Sequence, residues 1–167
     1  MKTVANSLKI FILVFLGNIF HLSYYYSFLP EEVATHFNAA GLPDSWSSKT
    51  TLVGIYAGVA VLTFLTFWGL TYLLPRLSHS FINLPRKEYW LAAERKQATL
   101  KLICDRLQYL GMATLVFLGV IFHLTFRVNL AVAERLQHVW WITGSYLGVT
   151  FLWIISLVKK FNKIPRD

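Results

Sequence analysis

Leu107-Gln108-Tyr109-Leu110-Gly111-Met112-Ala113-Thr114-Leu115-Val116-Phe117-Leu118-Gly119-Val120-Ile121-Phe122-His123-Leu124-Thr125-Phe126 contains no Lys, Arg, Asp or Glu. A helix rises about 1.5 Å per residue, so roughly 20 apolar residues cross a hydrocarbon core of about 30 Å. The stretch reads as a transmembrane helix. Working outward, Thr51 to Leu74 and Val139 to Val158 are likewise uncharged, and Leu8 to Leu29 is long and apolar apart from Lys9 at its start. Their ends carry interfacial residues: Tyr24, Tyr25 and Tyr26 close the first, Trp140 and Trp141 open the last, and Lys159 and Lys160 stop it. The expected fold is all-α: a polytopic membrane protein, residues 1–167 forming a single four-helix transmembrane domain.

Composition agrees. Hydrophobic residues make up 56% of the chain and charged residues 14%, against roughly 45–50% and 25% in soluble domains. The lipid bilayer is therefore the first expected partner. Sixteen Lys and Arg against eight Asp and Glu give +8, and their placement points to loops held at one membrane face, not to nucleic acid. Arg76, Arg86, Lys87, Arg95, Lys96, Lys101 and Arg106 lie between the second and third spans, and Lys159, Lys160, Lys163 and Arg166 follow the fourth. The other two connections hold only Lys49, Arg127 and Arg135. The positive-inside rule then gives N-in, C-in, and the expected location is the bacterial inner membrane. A cleaved signal peptide competes for the first stretch, but its length, its Asn18 and His21, and the Pro30-Glu31-Glu32 that follows fit a retained span better. Cys104 is the only cysteine, so no intrachain disulfide can form.

An internal match divides the chain in two. Phe15 to Ser23 and Phe117 to Thr125 agree at seven of nine positions at an offset of 102, which also carries Glu32 onto Glu134 and His36 onto His138. After a 12-residue gap, Gly54-Ile55-Tyr56-Ala57-Gly58 aligns with Gly144-Ser145-Tyr146-Leu147-Gly148. Two parallel helix-pair repeats are expected. Gly54, Gly58, Gly144 and Gly148 form Gly-x-x-x-Gly motifs, which serve helix packing inside the chain or a homodimer contact.

His21 and His123 lie within apolar spans, where ionisable groups usually face the protein interior. Asn18, His21 and Tyr25 share one helix face, as do Gly119, His123 and Arg127. Two readings stay open: neutral histidines fixing helix packing, or a transition-metal or haem site with one histidine from each of two helices. Glu32 with His36, and Glu134 with His138, would extend a metal site outward if their segments are helical. No catalytic motif is present, so an enzyme is not expected.

The connections add two expectations. Pro30 sits where a short helix could begin, Glu31 and Glu32 would favour its positive end, Gly41 could end it, and Gly41-Leu42-Pro43-Asp44 is a turn signal beside Trp46. On the basic side, Asn83-Leu84-Pro85 reads as a turn, and about 86–104 as a surface-lying amphipathic helix feeding the third span. That helix would meet anionic lipid, a cytoplasmic partner or water.

The segment from Leu29-Pro30 through His36-Phe37-Asn38, Gly41, Pro43-Asp44 and Ser48-Lys49 resembles the signature of a bacterial family of membrane domains of unknown function found in SdpI-like toxin-immunity proteins. Asn83 to Leu91 is similar to a stretch of its four-helix members. SdpI-like members are longer, protect the producing cell from a secreted toxin and relay its presence to a cytoplasmic repressor. The resemblance carries over His36, Asn38, Gly41, Pro43, Asp44 and Lys49 as motif positions. The motif-rich loop, to which Trp46 adds an aromatic contact, and the missing catalytic constellation together point to a non-enzymatic binding or sensing module acting through that loop. The alternatives are a metal- or haem-binding accessory subunit of a membrane protein complex, and a small transporter.

Overall fold

A computed structural model describes residues 2–164. Helix α1 spans Lys2–Tyr26. Strands β1 (Glu32–Phe37) and β2 (Pro43–Ser48) follow, then α2 (Lys49–Leu73), two 3₁₀ turns at Leu74–Arg76 and His79–Phe81, α3 (Lys87–Trp90), α4 (Ala93–Asn129) and α5 (Val139–Asn162). Helices α1, α2, α4 and α5 are long and apolar enough to cross a membrane. Each keeps large side chains such as Leu13, Leu62, Val116 and Leu152 exposed, which suits a surface solvated by lipid. The chain is a multi-pass membrane protein.

Helices α1, α2 and α4 pack on one another, whereas α5 packs on α4. The core therefore lies among three helices: Phe11, Leu22, Leu52, Tyr56, Ala60, Met112, Leu115 and Phe126 are buried together. Close approach depends on glycines other than the Gly-x-x-x-Gly pairs. A Cβ on Gly111 would stand 2.8 Å from the Phe67 ring, and one on Gly119 would stand 3.0 Å from Asn18 Oδ1. Gly54, Gly58, Gly144 and Gly148 instead face open space, with nothing within 4 Å of an added Cβ. Their expected role in packing within the chain is not seen. Placing α2 and α5 equivalently would bring Tyr146 against α1, but Tyr146 stacks on Phe117 of α4 at 4.3 Å and meets Thr114 Oγ1 at 2.8 Å.

Two expectations are corrected. The segment after α1 is an antiparallel hairpin, with Val33 opposite Ser47 and Ala34 opposite Trp46, not a short helix. Val33 and Thr35 are β-branched, and the Asn129 side chain bonds both polar groups of the Ala34 backbone, so the extended form wins. On the basic side, the expected helix breaks at Leu91–Ala92, and its second part runs uninterrupted into the third span as α4. At 37 residues, α4 is about 55 Å long at roughly 1.5 Å per residue, so it projects well beyond a bilayer core. Leu91 and Leu100 bury with Ile82. Trp90 Nε1 donates to the Phe161 carbonyl at 2.9 Å, so these residues close the bundle end and do not lie on a surface.

The α1–α2 and α4–α5 connections meet at one end of the bundle, where Leu136 N donates to Gly41 O at 2.9 Å. At the other end, Ser7 Oγ donates to Asp105 Oδ1 at 3.0 Å and meets Gln108 Oε1 at 2.5 Å. Both terminal helix ends thus share the end that carries the basic α2–α4 connection.

Candidate functional site

The polar residues gather in two places. Within the bundle, α1 and α4 face each other through His21 and His123, whose Nε2 and Nδ1 are 3.3 Å apart. Helix α2 contributes Tyr56, fully buried, with its ring parallel to Phe122 at 4.1 Å. Its hydroxyl donates to Asn18 Oδ1 at 2.8 Å and lies 3.4 Å from His21 Nδ1. Asn18 Nδ2 donates to Val14 O at 2.9 Å, which fixes the amide's orientation.

A hydroxyl has one proton, and Tyr56 places it on Asn18. For a neutral His21 that bonds the Tyr56 oxygen, Nδ1 carries the proton and Nε2 accepts from His123 Nδ1–H. That pair of tautomers orders the protons in one direction, from His123 through His21 to Tyr56, Asn18 and the α1 backbone. In this arrangement both His21 nitrogens are engaged, and His123 Nε2 keeps the free lone pair. A shallow depression of about 310 Å³ adjoins these groups beside Gly17 and Gly119.

This arrangement bears on the metal and haem readings. The two imidazoles are in direct contact, and Asn18 fills the space above Gly119, so no room for a porphyrin exists between α1 and α4. The remaining candidate ligands are not gathered around the pair. His36 contacts Asp44, with Nδ1 and Oδ1 2.5 Å apart on the exposed hairpin. Glu32 sits at the start of β1, and Glu134 and His138 lie in the α4–α5 connection, not on a helix. Among the described residues, no three His, Cys, Asp or Glu come together as a metal site.

The second place is the hairpin, and its motif residues divide by what they touch. Asn38 Oδ1 accepts from Ala40 N at 2.9 Å and Leu42 N at 3.1 Å, holding the turn in an Asx fold. Gly41 has φ +77°, and a Cβ there would stand 2.9 Å from Leu136 O. Only glycine satisfies both conditions. Pro43 opens β2 opposite Phe37. Lys49 Nζ pairs with Glu31 Oε1 at 2.9 Å, and Ser48 Oγ caps α2 by accepting from Thr51 N at 3.2 Å. His36, Asp44 and Trp46 remain on the outside, with Trp46 56% exposed.

Asn129 was not visible as a site residue in the sequence. Its Oδ1 accepts from Ala34 N at 2.6 Å and its Nδ2 donates to Ala34 O at 3.0 Å, so one side chain grips the β1 backbone as a neighbouring strand would. Trp140 Nε1 donates to Ala39 O at 2.8 Å. These partners are separated by 95 and 101 positions. An asparagine closing an apolar span is a signal, but nothing local says what it holds.

Comparison with protein-family models matches residues 12–60 to a domain of unknown function, DUF1648. The matched stretch runs from α1 through the hairpin into α2, and so includes Asn18, His21, Tyr56 and the whole hairpin motif. No significant match is found among curated proteins or among solved structures.

Proposed function

We propose that this protein is a binding or sensing module of the bacterial inner membrane, acting without catalysis through its hairpin. One observation carries the reading. The hairpin is held by Asn129 on Ala34, Leu136 on Gly41 and Trp140 on Ala39, while His36, Asp44 and Trp46 stand outside these contacts. A rigid support under an exposed aromatic and a polar pair suits recognition, because little ordering entropy is lost on binding. The basic connection lies at the same end as the start of α1 and the end of α5, which supports N-in, C-in with the hairpin outside. The His21–His123 contact at the α1–α4 interface is what a parallel repeat would place near its axis. The SdpI-like resemblance supports a role at the outer face of the membrane.

The test is complementation of a deletion strain. A His36→Ala/Asp44→Ala/Trp46→Ala variant is expected to reach wild-type levels in the membrane and to lose the deletion-complementing activity. Full complementation by that variant would refute the reading. Asn38→Ala serves as the comparison, because it weakens the turn without removing the outward groups.

A further inference from the structure

At the opposite end of the molecule, a cavity of about 670 Å³ lies between the end of α2, the lower part of α4 and the start of α1. Its walls change character along its length. Leu8 and Trp68 supply apolar surface at the level of Gln108, and Arg76, Lys96 and Lys101 supply positive charge at the other end. Arg76 is positioned, with its guanidinium carbon 3.7 Å above the Tyr72 ring and Nη1 bonded to the Tyr72 carbonyl. Lys96 and Lys101 are half-buried. Among the described residues, none of the three cations is paired with a carboxylate. Of the acidic groups nearby in sequence, Glu94 pairs with Arg95 at 2.7 Å and Asp105 accepts from Ser7 at 3.0 Å.

Half-burying lysines without counter-charge costs solvation that an anion would restore. The cavity also straddles the end of the apolar spans. Trp68 belongs to the expected second span and Gln108 to the third, while Ala93 and Lys96 lie beyond it. A soluble anion would use the charged end and leave the apolar end empty. A lipid uses both. We infer that this cavity binds an anionic phospholipid, its phosphate among Arg76, Lys96 and Lys101 and its acyl chains along Leu8 and Trp68. Basic pockets between transmembrane helices at the cytoplasmic face suit such headgroups.

The experiment is native mass spectrometry of the full chain released from nanodiscs of equal phosphatidylglycerol and phosphatidylcholine. Phosphatidylglycerol is expected to be retained preferentially, and retention to fall about fivefold for each cation removed in an Arg76→Gln/Lys96→Gln/Lys101→Gln series. Lys159→Gln/Lys160→Gln/Lys163→Gln removes the same charge from the same end outside the cavity and is expected to keep the preference. Equal loss in both series would mean general surface attraction and overturn the site. Gln97→Trp fills the cavity with every charge retained, and its expected result is loss of the lipid. Undiminished retention would overturn the assignment even if the charge variants fold poorly. Inorganic phosphate, titrated into nanodiscs of phosphatidylcholine alone, separates the sources. Saturable binding that the Arg76/Lys96/Lys101 variant loses would make this a soluble-anion site, and absence of binding supports the lipid.

Discussion

Replacing Gly41 by alanine attacks the joint between the two outer connections from two directions. The φ of +77° is a left-handed conformation that costs an L-residue about 1–2 kcal/mol. The new Cβ would also stand 2.9 Å from Leu136 O and 3.3 Å from Leu136 N. Because both are backbone atoms, the segment must move, and the Leu136 N to Gly41 O bond is lost or lengthened, at about 0.5–1.5 kcal/mol. The sum is about 1.5–3.5 kcal/mol, or roughly 10- to 300-fold in the equilibrium between docked and undocked hairpin at 1.4 kcal/mol per decade. Hydrogen–deuterium exchange in nanodiscs reads this locally. Peptides covering 38–42 and 134–140 should exchange faster, with α1, α2 and α4 unchanged. Gly41→Asn separates the two causes, since asparagine tolerates the left-handed region but keeps the Cβ. It should recover only part of the loss. Wild-type exchange in Gly41→Ala would refute the argument that this contact holds the hairpin down.

Three further outcomes follow from the packing. Asn129→Leu leaves the buried Ala34 backbone without its side-chain partner and should loosen β1 by about 1–3 kcal/mol, seen as faster exchange at 32–37. Tyr56→Phe keeps the Phe122 stack and removes the bond to Asn18. Transmembrane hydrogen bonds average about 0.6 kcal/mol with a maximum near 1.7, so thermal unfolding in detergent should fall slightly, and a severe collapse would contradict the structure. Gly111→Leu should unfold the bundle because the Phe67 ring stands 2.8 Å from its Cβ position, whereas Gly144→Leu should leave monomer unfolding within about 0.5 kcal/mol of wild type. If α5 self-associates through its glycines, Gly144→Leu should instead abolish energy transfer between labelled copies.

The amino-acid sequence alone determined that four helices are long and apolar enough to cross a membrane, because the energy of backbone and side chains in hydrocarbon is read locally from composition and length. It also singled out His21 and His123 within the spans, with Asn18 on the face of His21, and the structure brings these three together with Tyr56 of α2. Pro30-Glu31-Glu32 imitates a helix start, yet the segment folds as a hairpin. What decides its form is tertiary: Asn129 engages both polar groups of the Ala34 backbone from 95 residues away. The glycines show the same limit. Gly-x-x-x-Gly marks backbone that can approach a neighbour, but which glycines are approached depends on where the helices cross, and here Gly111 and Gly119 meet neighbours while the motif glycines face outward. A cavity walled by Leu8, Trp68, Arg76 and Lys96 exists only because three helix ends converge. Local chemistry chose the spans; contacts between residues about a hundred positions apart chose their faces, the hairpin and the cavities, because those energies arise only when distant segments meet.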